Sequence, residues 1–314
     1  GIGALAENAL FKAARAKVSG KAILYVWGDP SRMPLPAIPS APGIVEIVWA
    51  DGPATAGRLK YRVFSAPGAP LPEAWKQAAT VKPGTIDALP SLPSSAVVAQ
   101  VNLAPDLQST LKGALGPFAQ MVGPQLAMFG PDWGWAILEA TPGRGLGVGV
   151  ALFARTKDAK KTQAMLSMLA AGAGQSRGLF QPSAGSRVVG GVPVTAVTFP
   201  VPVLGPVEVS AAVVKDLAVI GAGDAAADAF VQASSAKGAG LVGSAGYAAV
   251  SKGMPKTFHG WVYADPSRLG RALAGLAARL MAAQGSAPAK WNPLGWSTGL
   301  VGTSVFGKNG MTGE

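Results

Sequence analysis

Trp261-Val262-Tyr263-Ala264-Asp265-Pro266-Ser267-Arg268 is an apolar run that ends in a polar stop. The same order stands near the start of the chain as Tyr25-Val26-Trp27-Gly28-Asp29-Pro30-Ser31-Arg32. The copies lie 236 positions apart (265 − 29), and Phe11 and Tyr247 keep that offset, as do Ala13 and Ala249. A looser third copy begins at Val97 and ends at Asp106. Each reads as a buried strand, then a stop, then a helix start or chain reversal. Asp, Asn and Ser accept hydrogen bonds from the free amides of a first helical turn, and proline there gives up no bond. The chain is therefore expected to repeat a module. Asp29, Pro30, Ser31 and Arg32, like Asp265, Pro266, Ser267 and Arg268, are expected to be structural caps, because a reacting site rarely needs duplicates.

Working outward, residues 4–18 read as an amphipathic helix with Leu5, Leu10, Phe11 and Ala14 on one face. Residues 22–27 read as a strand, 32–43 as a proline-rich loop, and 44–49 with 58–64 as a hairpin. A short helix over 72–80 and a Pro- and Ser-rich linker over 81–95 follow. Residues 96–103 read as the next strand and 105–115 as a helix. The uncharged run 113–131 is broken by Pro117 and Pro124, so a buried helical hairpin is expected there rather than a membrane span. A second hairpin pairs 134–139 with 147–155, and a helix covers 158–171. Residues 187–199 and 207–214 read as strands, and Lys215-Asp216 as a tight turn into a strand over 217–221. Asp224 is placed to cap a helix reaching 235, and 244–252 reads as a short helix.

Residues 267–283 form the clearest amphipathic pattern. Leu269, Leu273, Leu276 and Leu280 recur at helical spacing, and Leu273 and Leu276 are expected to be buried against a sheet. Arg268, Arg271 and Arg279 fall mainly off that stripe and would face solvent or an anionic partner. A last strand over 300–306 runs into Lys308-Asn309-Gly310, a hairpin turn whose return strand is expected to be missing. Helices between antiparallel hairpins imply an α+β fold, with helices laid on one face of an antiparallel sheet. The expected division is an N-terminal partial module over 1–85 and a main region over 86–314 that ends in another partial module.

Composition sets wider bounds. Nearly half of the 314 residues are apolar, so the chain can bury a sizeable core. The net charge of +11 points to lipid headgroups, an acidic protein or another anionic partner, or to a solvated basic surface. No basic strand interleaved with aromatics is present, which ranks nucleic acid lower. The absence of cysteine excludes disulfides, thiolate catalysis and Cys-based zinc sites. Residues 1–20 put Lys12, Arg15 and Lys17 after a short apolar start, the wrong order for a secretory signal. A mature or trimmed form is expected.

Chemical motifs are sparse. Gly221-Ala222-Gly223-Asp224-Ala225-Ala226 imitates a dinucleotide fingerprint. The tight turn at Lys215-Asp216 makes its strand antiparallel, and Asp224 would set a carboxylate where phosphate should sit, so no cofactor is expected. Gly143-Arg144-Gly145-Leu146-Gly147 lies between two strands and reads as a hairpin tip. His259 is the only histidine, with no nucleophile elbow or acidic pair to match, so a structural role is expected and no metal site follows.

Val97 to Asn102, Ala154-Arg155-Thr156-Lys157-Asp158 and Ile220-Gly221-Ala222-Gly223 alternate a strand with a polar stop and a helix start. In this order the chain from Ser94 onward resembles a bacterial family of exported proteins and lipoproteins of unknown function. That resemblance implies an envelope location and carries over no catalytic residue. Three readings follow. The first is a non-enzymatic envelope protein presenting a surface to a partner or assembly. The second is a carrier of an apolar or lipid ligand. The third is a hydrolase using dispersed carboxylates. A flat exposed apolar patch favours the first, and a large dry cavity the second.

Overall fold

The computed structural model describes residues 7–18, 20, 22–28, 43–51, 58–65, 76, 80, 82–84, 91–102, 127–139, 146–175, 181–202, 204–223, 225–235, 240–251, 257–285, 300–307 and 310–313. The described elements open with helix α1 (Ala9–Arg15) and strands β1 (Ala22–Gly28), β2 (Gly43–Asp51), β3 (Arg58–Ser65), β4 (Val97–Asn102), β5 (Phe129–Glu139) and β6 (Val148–Thr156). Helix α2 (Ala159–Gly174) precedes strands β7 (Ser183–Val189), β8 (Val192–Val201), β9 (Gly205–Val214) and β10 (Leu217–Ala222). Helices α3 (Ala226–Ser235) and α4 (Ala245–Ser251), strand β11 (Gly260–Ala264), helix α5 (Pro266–Ala283) and strands β12 (Leu300–Gly307) and β13 (Gly310–Gly313) complete the order. The fold is α+β, as the hairpin spacing implies.

The chain divides into two compact units. The first holds Gly1–Thr85, Met254–Gly260 and Gly302–Glu314. Its strands run in the order β1-β2-β3-β13-β12. The return strand expected to be missing is present as β13, which pairs antiparallel with β12 and with β3. Asn8 caps α1 by accepting from the Phe11 amide at 2.9 Å. Ala14 is fully buried against Leu10, Val18 and Trp27. Phe11 meets the Trp27 ring edge-on at 5.5 Å. The turn expected at Asp29, Pro30, Ser31 and Arg32 lies outside the described residues.

The second unit holds Ile86–Gly253 and Trp261–Val301. Its eight strands run β11-β4-β5-β6-β10-β9-β8-β7. β10 pairs antiparallel on both sides, with β6 and with β9, so the turn at Lys215-Asp216 forms the expected hairpin. β11 lies against β4 through Asp265 N to Ala96 O at 2.7 Å and Trp261 Nε1 to Gln100 Oε1 at 3.4 Å. The single strand expected over 187–199 is instead a hairpin of β7 and β8. Gly190 and Gly191 have φ of 53° and 81°, and that pair of positive angles is what a two-residue hairpin turn needs. β5 also starts earlier than its apolar run suggests. Its register shifts between Phe129 and Trp133, so Pro131 falls where no ladder bond is lost. Residues 129–131 are thus strand rather than part of a helical hairpin, and 113–126 lie outside the described residues.

Register fixes which side chains share a face, because directly opposed residues point the same way and successive ones alternate. Arg187, Val194, Ala212, Val219 and Phe153 share one face. α3 packs there: Phe230 meets Phe153 at 5.6 Å, the Ala227 amide donates to Ser210 Oγ at 3.3 Å, and Asp228 accepts from Arg187. α2 packs on the other face. Thr162 shares a 2.5 Å hydroxyl bond with Thr156, and Gly174 lies so close to Ala184 that a Cβ would sit 2.5 Å from it. The helices therefore cover both faces, not one. The reason is in the strands: β6 and β10 are apolar at nearly every position, as strands buried on both sides are.

α5 corrects a second expectation. It docks closest through small residues, while Leu273 and Leu280 stay exposed and Leu269 and Leu276 are half-buried. Ala272 is fully buried, and Gly275 meets the backbone of Gly147 in the β5–β6 connection. A Cβ on Gly275 would lie 2.8 Å from Gly147 O. This close approach turns the leucine stripe aside, and Leu273 stays 45% exposed.

α1 and α4 span residues at the same 236-residue offset at both ends. Ser244 Oγ accepts from the Tyr247 amide at 3.3 Å, as Asn8 does from Phe11. Tyr247 meets Tyr263 edge-on at 5.5 Å, the counterpart of Phe11 on Trp27.

Gly275→Ala tests the docking of α5. Alanine in a helix gains about 1 kcal/mol of propensity over glycine, whereas overpacking costs about 1–3 kcal/mol. The atom struck is backbone and cannot rotate away, so Gly275→Ala should lower the melting temperature. Leu273→Ala should change stability by less than about 1 kcal/mol, as thermal denaturation of both variants would show.

Candidate functional site

On the α2 side of the second unit's sheet, one row of opposed residues reads Ala99, Trp135, Leu152, Ile220, Ala211 and Thr195. α2 covers its Thr195 end, where Thr195 and neighbouring Val197 are buried. The other end is open. Trp135, Val150, Leu152 and Ile220 are 41–59% exposed, and Val262 on β11 is 41% exposed. The bonds between Trp261 and Gln100 and between Asp265 and Ala96 set Val262 opposite Ala99, in the same row. The result is an apolar strip across β11, β4, β5, β6 and β10. Its exposed area is on the order of several hundred Å², the scale at which a patch on a monomer marks a contact surface. Among the described residues it holds no charged side chain.

Two helices bound the strip. α2 stands on the β10–β7 side. α5 crosses the strand ends: Asp265 is bonded at Ala96, Gly275 lies on Gly147, and Arg279 lies near Gly205. Its 18 residues give about 27 Å, enough for the roughly 24 Å between β11 and β9.

The Asp265-Pro266-Ser267-Arg268 motif shapes this boundary. Asp265 Oδ1 accepts from the Arg268 amide at 3.0 Å and Pro266 opens the helix. Arg268 Nε turns back to Asp265 at 3.4 Å, so motif and helix start form one closed turn. Arg271 grips Glu139 in a two-pronged pair, at 2.5 and 3.1 Å, and Arg268 approaches the same carboxylate at 3.7 Å. The Glu139 hydrogen bond raises the Arg271 pKa above its ordinary value. Two of the three arginines expected to meet an anionic partner are thus engaged with Glu139, and Arg279 lies by the β8–β9 turn. Ser267 sits within the first turn of α5.

Behind the cap, Tyr263 is almost fully buried; Tyr247 meets it edge-on, and Trp261 in turn meets Tyr247 edge-on. Burial pushes the Tyr263 phenol up, the Asp265 carboxylate adds to this, and a Ser244 hydrogen bond partly offsets it. Burial alone pushes Tyr247 up.

Gly223 has φ of 90° and its amide donates to Glu208 O at 2.9 Å, so the glycine-rich stretch is a strand end between antiparallel neighbours. Asp224 lies outside the described residues, as do 143–145. His259 is buried beside Phe258, which pairs with Gly84 through the backbone. On the α3 face, Arg187 reaches Glu208 at 2.6 and 3.0 Å and Asp228 at 2.9 and 3.0 Å. Its pKa is held above the usual value, first by the Glu208 bonds. One guanidinium thereby ties β7, β9 and α3 together. Among the described residues no group of three or more His, Asp or Glu could hold a metal ion, and no helix is long and apolar enough to cross a membrane.

The sequence reading did not single out Trp135, Val150, Leu152, Ile220 or Val262. The signal was the unbroken apolar run of β6 and β10, which asks for cover on both faces. Comparison with protein-family models, curated proteins and solved structures finds no match.

The phenols predict an alkaline transition. Their folded pKa values are raised above the unfolded value of 10.0. The stability they confer is complete below pH 10 and is lost as pH rises through the folded values. Between about pH 9 and about pH 11, Tyr263→Phe should lose less melting temperature than the wild type. Equal slopes would show that the phenol ionises freely in the fold.

Proposed function

We propose that the chain is a non-enzymatic interaction module, built from a duplicated helix–strand unit, whose apolar strip packs against a protein partner. The observation that carries this is the exposure of Trp135, Val150, Leu152, Ile220 and Val262 on one sheet face. Strands with apolar residues on both sides gain little by leaving one side wet. Each fully buried side chain of this kind is worth about 1.5–3 kcal/mol over its exposed form. Covering the strip is therefore a strong driving force for association. The duplicated unit is supported by the shared offset of α1 and α4, of their capping residues, and of the Phe11–Trp27 and Tyr247–Tyr263 pairs. A setting in the bacterial cell envelope is supported by the resemblance of the strand-and-stop order to exported proteins.

A photo-crosslinking residue in place of Leu152, with the same residue at exposed Gln175 as a control, tests the reading in the source cell. An adduct with a protein at position 152 and none at 175 is expected. An adduct with lipid alone would replace the module by a carrier of apolar ligands. Absence of any adduct specific to 152 would remove the interaction reading.

A further inference from the structure

Resting on that reading, we infer that the strip takes an acidic amphipathic helix of a partner protein, lying along β5 and β6 beside α2. The floor is a sheet face, so its own backbone groups are already paired within the ladder. An incoming strand would find no donors or acceptors for its amides there. A helix satisfies its own backbone and needs only an apolar stripe, which is how α2 sits on the adjoining strands. The opening from β11 to β10 spans four strand spacings, about 19 Å, and a helix with its side chains is about 10–12 Å wide.

A bilayer fits less well. α2 and α5 both stand on the strip's side of the sheet, through Thr156–Thr162 and through Arg271–Glu139, where Glu139 is opposed to Val148 and Val148 shares the strip's face. A flat surface would meet these helices before it met the floor.

Charge selects the partner's polar face. α2 begins at the end of β6, with Lys160 and Lys161 in its first turn and Lys157 just before its cap, where Lys157 Nζ donates to Ala127 O at 3.0 Å. At the opposite end of the same strands stand Arg268, Arg271 and Arg279 of α5. The carboxylates alongside are Asp158, Asp265 and Glu139. Asp158 accepts from the Lys161 amide, Asp265 from the Arg268 amide, and Glu139 from Arg271. Six cations stand against three carboxylates around the floor; Lys161, Arg268 and Arg271 are paired with those carboxylates, which leaves an excess of three positive charges. A helix bearing Glu or Asp on the flanks of a leucine stripe complements this frame, and one bearing Lys does not.

The test uses the whole chain and two synthetic helical peptides of about 18 residues, identical in their leucine stripe and differing only in Glu or Lys elsewhere. Fluorescence anisotropy should show binding of the Glu peptide. Leu152→Ser and Ile220→Ser should each weaken it by about tenfold or more, and so should high salt. The Lys peptide should bind at least about tenfold more weakly. Equal binding of both peptides overturns the acidic partner. No binding of the Glu peptide, or binding indifferent to Leu152→Ser and Ile220→Ser, overturns the site. A clear fall in melting temperature on Leu152→Ser shows that the chain itself covers the strip and overturns it too. Binding to phosphatidylglycerol vesicles that Leu152→Ser abolishes assigns the face to a membrane instead. If crosslinking from position 152 finds a protein while the Glu peptide fails, this inference falls and the interaction module stands. If both fail, both fall.

Discussion

β10 holds the second unit together. It is six residues long, pairs with β6 on one side and β9 on the other, and runs antiparallel to both. Its register joins β11–β4–β5–β6 to β9–β8–β7 and sets the parity of every side chain across eight strands. A slip of one residue would exchange the two faces. Phe153 would then leave Phe230, and Leu152 would enter the α3 interface. The turn at Lys215, with φ of 59°, and the bond from Gly223 N to Glu208 O fix both ends of the strand against such a slip.

Close backbone approach is the second constraint. Gly134 has the Phe153 ring over it, Gly221 lies against Ala226, and Gly275 lies against Gly147. In each place a side chain would take space that another element uses. Small residues let helices and strands approach closely, and larger apolar side chains are displaced to the flanks. That is why α5 keeps Leu273 and Leu280 half exposed although its sequence carries a leucine stripe at helical spacing. It is also why a chain so rich in Gly and Ala packs with few aromatics.

Charged groups then secure what packing has placed. Arg187 binds Glu208 and Asp228 on one face, and Arg271 binds Glu139 on the other. All are partly exposed, so their contribution is one of orientation more than of stability. Arg187 aligns α3 with β7 and β9, and Arg271 aligns α5 with the end of β5. With α5 so held at the strand ends, the apolar floor between it and α2 stays open.

Much of this was determined by local sequence. The Asp265-Pro266 helix start, the hairpin at Lys215-Asp216 and the capped helix after Asn8 need only neighbouring residues, because capping and tight turns act over three or four positions. Antiparallel pairing at β10 followed from its turn and left the Gly221–Ala226 stretch without the geometry of a nucleotide fold. Tertiary structure decided the rest. Whether α2 and α3 share a face depends on register across five strands, which no local pattern encodes. Which side of α5 is buried depends on Gly147, more than a hundred residues away. The exposure of Leu152 and Ile220 could not be read from apolar runs that look alike whether covered or open. Sequence periodicity specifies that a side chain prefers burial, and only the packed elements decide which of those preferences is met within the chain.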